Sequence, residues 1–149
     1  MNEFYGTLAR ATEYFLGDMN SEPWDDAPDT KRNKALITAT RAIDKLNYES
    51  QREFADQALA FPRATDPGNT PVDIEYATYE LARALLDGVD DQLEYENLTM
   101  TSQNLGGVRT TYKRDGSDDH IICGIPDIKA WRLLLPYLRN DNEIIMIQA

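Results

Sequence analysis

Apolar residues recur at helical spacing in four separate parts of the chain. These segments begin at residues 7, 29, 70 and 126, and the first three run to about residues 16, 46 and 87. A repeat of three and four residues places the apolar side chains of each segment on one side of a helix. The pattern therefore predicts a mainly α-helical protein, built as a small bundle of about four helices.

Residues with special backbone preferences indicate where these helices begin and end. Asp29 is typical of an N-cap, and Thr70 followed by Pro71 is typical of a helix start. Gly88 is a typical stop after the third helix, because glycine readily adopts the left-handed conformation. Pro136 indicates a kink or an end in the fourth helix.

The apolar sides of the predicted helices define a candidate core. Its expected buried members are Leu36, Ile43, Leu81, Leu85 and Leu134. Trp131 lies on the apolar side of the last helix, where a large aromatic ring is typical of a core residue. Trp24 instead lies among acidic residues in the stretch 20–28, which is predicted to be a polar connector.

Residues 93–122 differ in composition, since threonine, valine, tyrosine and glycine replace the strong helix formers. Residues 108–113 are predicted to form a strand, and Ile121 and Ile122 to pair with it or with residues 98–101. An isolated hairpin is marginally stable in water, so we expect this β-hairpin or small β region to project from the bundle. The alternative is a small sheet packed on the chain's own helices. The predicted organisation is one domain at 1–139 and an extended C-terminal tail at 140–149.

The charge of the chain is strongly negative. It has 149 residues, with 26 acidic and 15 basic side chains and a formal net charge of −11. Proteins gain affinity for DNA by neutralising phosphates with lysine and arginine, so the overall charge disfavours DNA binding. A local basic patch stays open as an alternative, with Arg41, Arg52 and Arg63 placed near phosphates.

No membrane segment or signal peptide is expected. No stretch approaches the roughly 20 apolar residues of a membrane helix, and the first residues lack the pattern of a signal sequence. We therefore expect the protein to remain in the cytoplasm in which it is made, without a membrane partner.

The sequence offers little catalytic or metal-binding chemistry. His120 and Cys123 are three residues apart, which on a strand places them on opposite faces, and a closed zinc site wants four ligands. We expect an ordinary loop histidine and a buried cysteine. The acidic pairs lack the spacing of a calcium-binding loop, and no phosphate loop or nucleophile motif is present. The protein is therefore not expected to be an enzyme, and no catalytic, cofactor-binding or metal-binding residue is predicted.

Two segments of the first ninety residues carry a resemblance to a known family. The first comprises Ala11-Thr12-Glu13-Tyr14-Phe15, Trp24-Asp25 and Lys34-Ala35-Leu36-Ile37-Thr38-Ala39-Thr40-Arg41-Ala42-Ile43-Asp44; the second is Gln57-Ala58-Leu59-Ala60-Phe61-Pro62-Arg63 before a helix containing Glu80-Leu81-Ala82. This order resembles the head-tail connector or adaptor proteins of bacteriophages. Some members of that family carry the label of a DnaT-like single-stranded DNA-binding protein.

The resemblance implies a structural protein of the virion. It implies a head-to-tail adaptor in the neck of a phage particle, forming a ring of twelve copies between the portal protein and the next tail or nozzle component. Such a ring needs no cofactor, and DNA passes through its channel as transiting cargo. The alternative function is that of a single-stranded DNA-binding, primosome-like protein.

Two parts of the chain are candidate contact sites in such an assembly. Arg63, Val108 and Tyr112 are predicted to lie at the subunit interface, with Phe61 buried and Arg63 meeting a carboxylate of its own chain or of a neighbour. The alternative leaves Arg63 free in solvent. The apolar run Ile144-Ile145-Met146-Ile147 is the predicted portal-docking tail, because four apolar residues near a chain end are expected to be covered by a partner. The other possibility is a last strand folded onto the chain's own β region.

Overall fold

The computed structural model describes residues 3–103 and 119–139, with the side chains of residues 99–103 left out. The helices of this part of the chain are α1 Leu8–Phe15, α2 Glu22–Asp25, α3 Asp29–Asp44, α4 Val72–Leu86, α5 Asp91–Gln103, α6 Asp119–Ile122 and α7 Ile128–Leu134. A short 3-10 turn, Leu135–Tyr137, follows α7. The prediction of a mainly helical protein is confirmed.

Helix α4 lies at the centre of the fold. It packs along α3 and α7 and also touches α1 and α2. The predicted core is confirmed, because Leu36, Ile43, Leu81 and Leu134 are almost fully buried and Leu85 packs partly buried against them. Burying a side chain of this size stabilises the folded state by about 1.5–3 kcal/mol, so these contacts hold the bundle together.

The helix boundaries follow local capping chemistry. The side chains of Thr7 and Asp127 accept hydrogen bonds from the backbone amides three residues later, at 3.1 Å and 3.0 Å, and so cap α1 and α7. The predicted caps of the two long helices are displaced by one residue. Asp29 is the first residue of α3, and Pro71 rather than Thr70 directly precedes α4. Gly88 has φ +90° just after α4, as predicted for a glycine stop.

Trp24 is part of the core, although its segment was predicted to be a polar connector. It lies in the four-residue helix α2, is fully buried, and packs against Phe15 with 5.2 Å between the ring centroids. Its indole nitrogen donates to the hydroxyl of Thr12 at 3.3 Å, and the guanidinium of Arg32 lies 5.2 Å from its ring centroid. Residues before the connector, Thr12 and Phe15, and a residue after it, Arg32, therefore hold it against the bundle.

The predicted β region is wrong where the structure describes it. Residues 93–103 belong to α5, and Ile121 and Ile122 belong to α6. The carboxylate of Asp90 accepts from the amides of Gln92 and Leu93 at 3.0 Å and 3.4 Å, which satisfies the first amides of α5. Local capping therefore outweighs the strand preference of the threonines. The predicted strand at 108–113 lies outside the described residues.

Candidate nucleic-acid interface

The solvent-facing side of α3 carries a line of four basic side chains, Lys31, Lys34, Arg41 and Lys45, which we call the α3 stripe. All four side chains are exposed, and Lys45 is the C-cap residue that directly follows the helix. At 3.6 residues per turn their positions fall within an arc of about 80° around the helix axis. The four charges therefore point in one direction over the whole length of α3.

The opposite side of α3 fixes this orientation. Its buried apolar residues, among them Leu36, Ala39 and Ile43, face the bundle, where α3 packs along α4. Rotating the helix to bury the stripe would expose these side chains to water. The basic side chains consequently remain in solvent in the folded protein.

The stripe is also an exception in the charge distribution of the chain. Residues 29–45 hold five basic and two acidic side chains, a net charge of +3, whereas the whole chain has −11. Within the described residues, none of the four stripe residues takes part in an ion pair; the ion pairs found there use Arg10, Arg32 and Arg83 instead. The stripe thus offers four cations to an external partner.

The loop between α3 and α4, residues 46–71, lies against the C-terminal half of the stripe. A groove of about 440 Å³ runs between them, and its walls include Arg41 and Lys45 from the stripe and Ala58 and Leu59 from the loop. The positive charge of Arg52 is close enough to Asp44, which also lines the groove, to act on its pKa. The loop and the stripe therefore form one continuous surface.

The carboxylate of Asp44 is engaged inside the protein. The hydroxyl of Tyr5 donates a hydrogen bond to it, and the backbone amide of Phe61 donates to that same hydroxyl at 3.1 Å. Burial raises the pKa of Asp44 above its ordinary value, against the opposing effects of the Tyr5 hydrogen bond and of Arg52. Asp44 thereby links α3 to the loop.

Arg63 organises the loop and meets no carboxylate among residues 3–103 and 119–139. Its guanidinium donates to the carbonyl oxygens of Ala60 at 3.0 Å, of Glu49 at 3.3 Å and of Ser50, and it lies 5.8 Å from the ring centroids of Tyr48 and Phe61. Within the described part of the chain, the predicted carboxylate contact is wrong, because the guanidinium donates to these loop carbonyls instead. Its contact with a neighbouring subunit stays a prediction.

Phe61 is buried as predicted. Only 4 % of its surface is exposed, and its ring packs edge-on against Tyr48 with 4.8 Å between the centroids. The bond between Phe61 and Pro62 is cis. The loop therefore has its own aromatic core beneath Arg63.

An exposed aromatic ring stands on a tight turn of the same loop. Phe54 is 61 % exposed, whereas its backbone amide donates to the side chain of Gln57 at 3.0 Å and its carbonyl accepts from the Gln57 amide at 3.3 Å. The Gln57 side chain in turn donates to the carbonyls of Leu59 and Pro62 at 2.7 Å and 2.9 Å. The backbone of Phe54 is thus held in place while its ring faces solvent.

A second cation stands beside this turn. Arg52 forms an antiparallel bridge with Arg63 and donates to the carbonyl of Gln57 at 3.3 Å. Burial lowers the pKa of Arg63, and the nearby charges of Arg52 and Arg139 lower it further. The bridge joins Arg52 to Arg63, and the backbone amide of Arg139 donates to the carbonyl of Asn47 at 2.9 Å, so three arginines belong to this end of the loop.

The residues considered for metal chemistry do not form a site in the described part of the chain. His120 lies in α6, where its Nδ1 atom is 2.8 Å from the carbonyl oxygen of Ile125. Cys123 is exposed, so the expectation of a buried cysteine is wrong. Among the described residues no three histidine, cysteine or carboxylate side chains come together as metal ligands, and no helix there is long and apolar enough to cross a membrane.

Several predicted contact residues lie outside the described part of the chain. These are Val108, Tyr112, Ile144, Ile145, Met146 and Ile147. The sequence analysis did not identify the four residues of the α3 stripe as one site, because it weighed the net charge of the whole chain above the local arrangement of basic residues. A search for basic residues at spacings of three, four and seven along the second predicted helix would have found it.

Comparison with known proteins gives one family match. The family described as "Putative DnaT-like ssDNA binding protein" matches residues 2–148. No curated protein and no solved structure matches the chain. Since the match covers nearly the whole sequence, the chain belongs to this DnaT-like family.

Proposed function

Given this family, we propose that the protein binds single-stranded DNA through the α3 stripe. The observation that carries the proposal is the line of four exposed basic side chains without ion-pair partners in the described part of the chain. Each cation that reaches a phosphate releases condensed counterions, which is the main source of affinity that is independent of sequence. An arc of about 80° along one side of a helix suits a strand lying along that helix.

The charge of the rest of the molecule sets the conditions of binding. A net charge of −11 repels DNA at long range, whereas the +3 segment of α3 attracts it at contact. Repulsion is screened within about 8 Å at physiological ionic strength, so it slows approach more than it weakens the contact itself. We expect binding that is measurable at low salt and falls steeply as salt is added.

The test compares two variants of equal charge. Arg41→Gln/Lys45→Gln removes two stripe charges, and the control Lys129→Gln/Arg132→Gln removes two exposed charges from α7. The readout is the fluorescence anisotropy of a labelled oligothymidylate, measured at several salt concentrations. Four phosphate contacts predict a slope of log K against log salt concentration of about −3 for the unmodified protein. In the stripe variant, which has two contacts fewer, the magnitude of this slope should be lower by about 1.4.

The two double variants separate a specific site from general charge. If both weaken binding equally, the stripe is not the binding surface. If the unmodified protein does not bind at about 50 mM salt, the proposed function is wrong.

A second candidate function, the head-to-tail adaptor, is favoured by the same contrast in charge. A basic helix face on a chain of net charge −11 is complementary to the acidic surface of another copy. Such a head-to-tail contact between unlike surfaces is what a closed ring of identical subunits requires. In this function the stripe meets a neighbouring subunit, and Ile144, Ile145, Met146 and Ile147 dock on the portal protein.

The adaptor function has its own test. Sedimentation of the protein, alone and mixed with portal, should give a ring that Arg41→Glu/Lys45→Glu disrupts and Lys129→Glu/Arg132→Glu leaves intact. Deleting residues 140–149 should leave the subunit folded and abolish attachment to the portal. An intact ring with the first variant, or normal attachment of the truncated chain, would argue against this function.

A further inference from the structure

We infer that Phe54 stacks on an unpaired base and thereby gives the protein its preference for single-stranded over double-stranded nucleic acid. The inference rests on the proposed DNA binding and deepens it, because the stripe alone contacts phosphates and does not distinguish single strands from duplexes. Every base has an aromatic face, and stacking on a protein ring is the usual means by which single strands are held without sequence preference. In a duplex that face is covered by the neighbouring base pairs.

The position of Phe54 supports this role. Its backbone amide donates to the side chain of Gln57 at 3.0 Å, and that side chain donates to the carbonyl of Leu59 at 2.7 Å. Leu59 in turn lines the groove shared with Arg41 and Lys45. The turn that carries Phe54 therefore lies beside the C-terminal half of the stripe. In this inference, a strand that crosses the groove from the stripe reaches the loop and presents a base to the ring.

The turn is also prepared for stacking before any ligand binds. Phe54 exposes 61 % of its surface, although an aromatic side chain usually gains free energy by burial. The hydrogen bonds between Phe54 and Gln57 fix the backbone under the ring, so little conformational entropy is lost when a base arrives. Arg52 beside it adds a cation for the phosphate of the stacked nucleotide.

The surroundings of Phe54 separate it from the other exposed aromatic residue of the described chain. Tyr95 is 50 % exposed and lies on α5 between Glu94 and Glu96, with no basic residue near it in the sequence. Phe54 also has acidic neighbours, Glu53 and Asp56, but the Glu53 carboxylate accepts from the backbone amide of Gly68 at 2.9 Å. Phe54 has Arg52 as its cationic neighbour and lies on the loop that forms the groove. Tyr95→Ala is therefore a matched control for Phe54→Ala, since both remove an exposed ring without disturbing the core.

The experiment compares two ligands of equal charge and length, an oligothymidylate and an abasic sugar-phosphate strand. The unmodified protein should bind the oligothymidylate about tenfold or more tightly than the abasic strand. Phe54→Ala and Phe54→Leu should lose this difference and bind both strands as weakly as the unmodified protein binds the abasic one. Phe54→Tyr and Tyr95→Ala should keep the difference.

A 2-aminopurine base in the strand reports stacking directly. Its fluorescence should fall on binding to the unmodified protein and recover with Phe54→Leu, which retains apolar bulk without an aromatic face. The stripe variant Arg41→Gln/Lys45→Gln should weaken both ligands by the same factor and leave their ratio unchanged.

The outcomes distinguish this inference from the proposed function. Equal affinity of the unmodified protein for both strands, with a normal salt slope, leaves DNA binding intact and overturns the role of Phe54. Binding of neither strand overturns both. If Phe54→Ala keeps the difference between the ligands but changes the sedimentation coefficient, the ring packs on a second copy and the inference is wrong.

Discussion

Helices α3 and α4 have similar lengths and similar apolar patterns, but they use their charged residues in opposite ways. In α4, Glu80 is buried and accepts from the hydroxyl of Tyr14 at 2.8 Å, and Asp73 accepts from Tyr137 at 2.9 Å. Glu75 pairs with Arg10 of α1 at 2.7 Å. The charges of α4 therefore join other helices to it, whereas those of the α3 stripe have no ion-pair partner in the described chain.

This difference shows where a helical protein keeps the side chains available for a ligand. A helix packed on several sides must satisfy its polar groups internally, because an unpaired buried charge is costly. A helix packed on one side can leave its outer face to a partner. Substitutions in α4 should therefore change stability, and substitutions in the α3 stripe should change binding.

The largest effect is expected from the apolar centre of α4. Leu81 is 1 % exposed, and Leu81→Ala should lower the free energy of unfolding by about 2–5 kcal/mol, through lost burial and the cavity that remains. Urea unfolding followed by circular dichroism measures the change. Leu16→Ala, at a position 80 % exposed, is the control and should have little effect. A near-neutral Leu81→Ala would mean that this side of α4 faces a partner.

A smaller loss is expected at the buried carboxylate of α4. Glu80→Gln keeps the shape of the side chain but weakens its contacts with Tyr14 and with Arg83, whose Nε is 3.4 Å away. We expect a destabilisation of about 1–3 kcal/mol, because the hydrogen-bonded groups remain buried with weaker partners. The same unfolding assay applies. Unchanged stability would remove the proposed contrast between α3 and α4.

Alkaline pH provides a third test, on the side of α3 that the loop covers. Burial and the nearby charge of Asp44 raise the pKa of Tyr48 far above its ordinary value of 10.0, and its hydroxyl donates to the carbonyl of Ile43 at 2.7 Å. Tyr48 ionises at lower pH in the unfolded chain than in the folded one. Its contribution to the free energy of unfolding is therefore complete below pH 10 and is lost as the pH rises above 10, by up to about 1.4 kcal/mol per pH unit. Tyr48→Phe should flatten the dependence of the unfolding free energy on pH in this range. An unaltered slope would show that the Tyr48 hydroxyl is not buried in solution.

The smallest effect on stability is expected in the α3 stripe. Arg41→Gln/Lys45→Gln should change the free energy of unfolding by less than about 0.5 kcal/mol, since both side chains are exposed. A larger loss would indicate that these residues support the fold. The comparison of the two helices would then no longer assign binding to α3.

The elements that could be predicted from the sequence are those whose signals are local. The periodic leucines of α3, α4 and α7 identified the helices and the core, and Gly88 identified the end of α4. Trp24 was misplaced because its burial depends on contacts with Phe15 and Arg32, which appear only after folding. The predicted strand character of residues 93–103 was wrong because composition was weighed above the cap at Asp90.

The candidate site was harder to predict than the fold. Arg63 was expected to seek a carboxylate, since the carbonyl oxygens that it binds come from loop residues whose positions the sequence does not reveal. Arg41 and Arg52 were considered near phosphates but were outweighed by the net charge of −11. A net charge averages over a surface, and it says little about one side of one helix.

If DNA lies along the α3 stripe as proposed, the length of α3 sets how many copies a long strand accommodates. Lys31 and Lys45 are fourteen positions apart in the sequence, which is about 21 Å along the axis at 1.5 Å per residue. A stacked strand advances about 3.4 Å per nucleotide, so a strand bound as proposed would place about six nucleotides along each stripe. A thirty-nucleotide strand should therefore saturate with about five copies. The number of nucleotides covered per copy, measured by titration, then reports the length of the stripe.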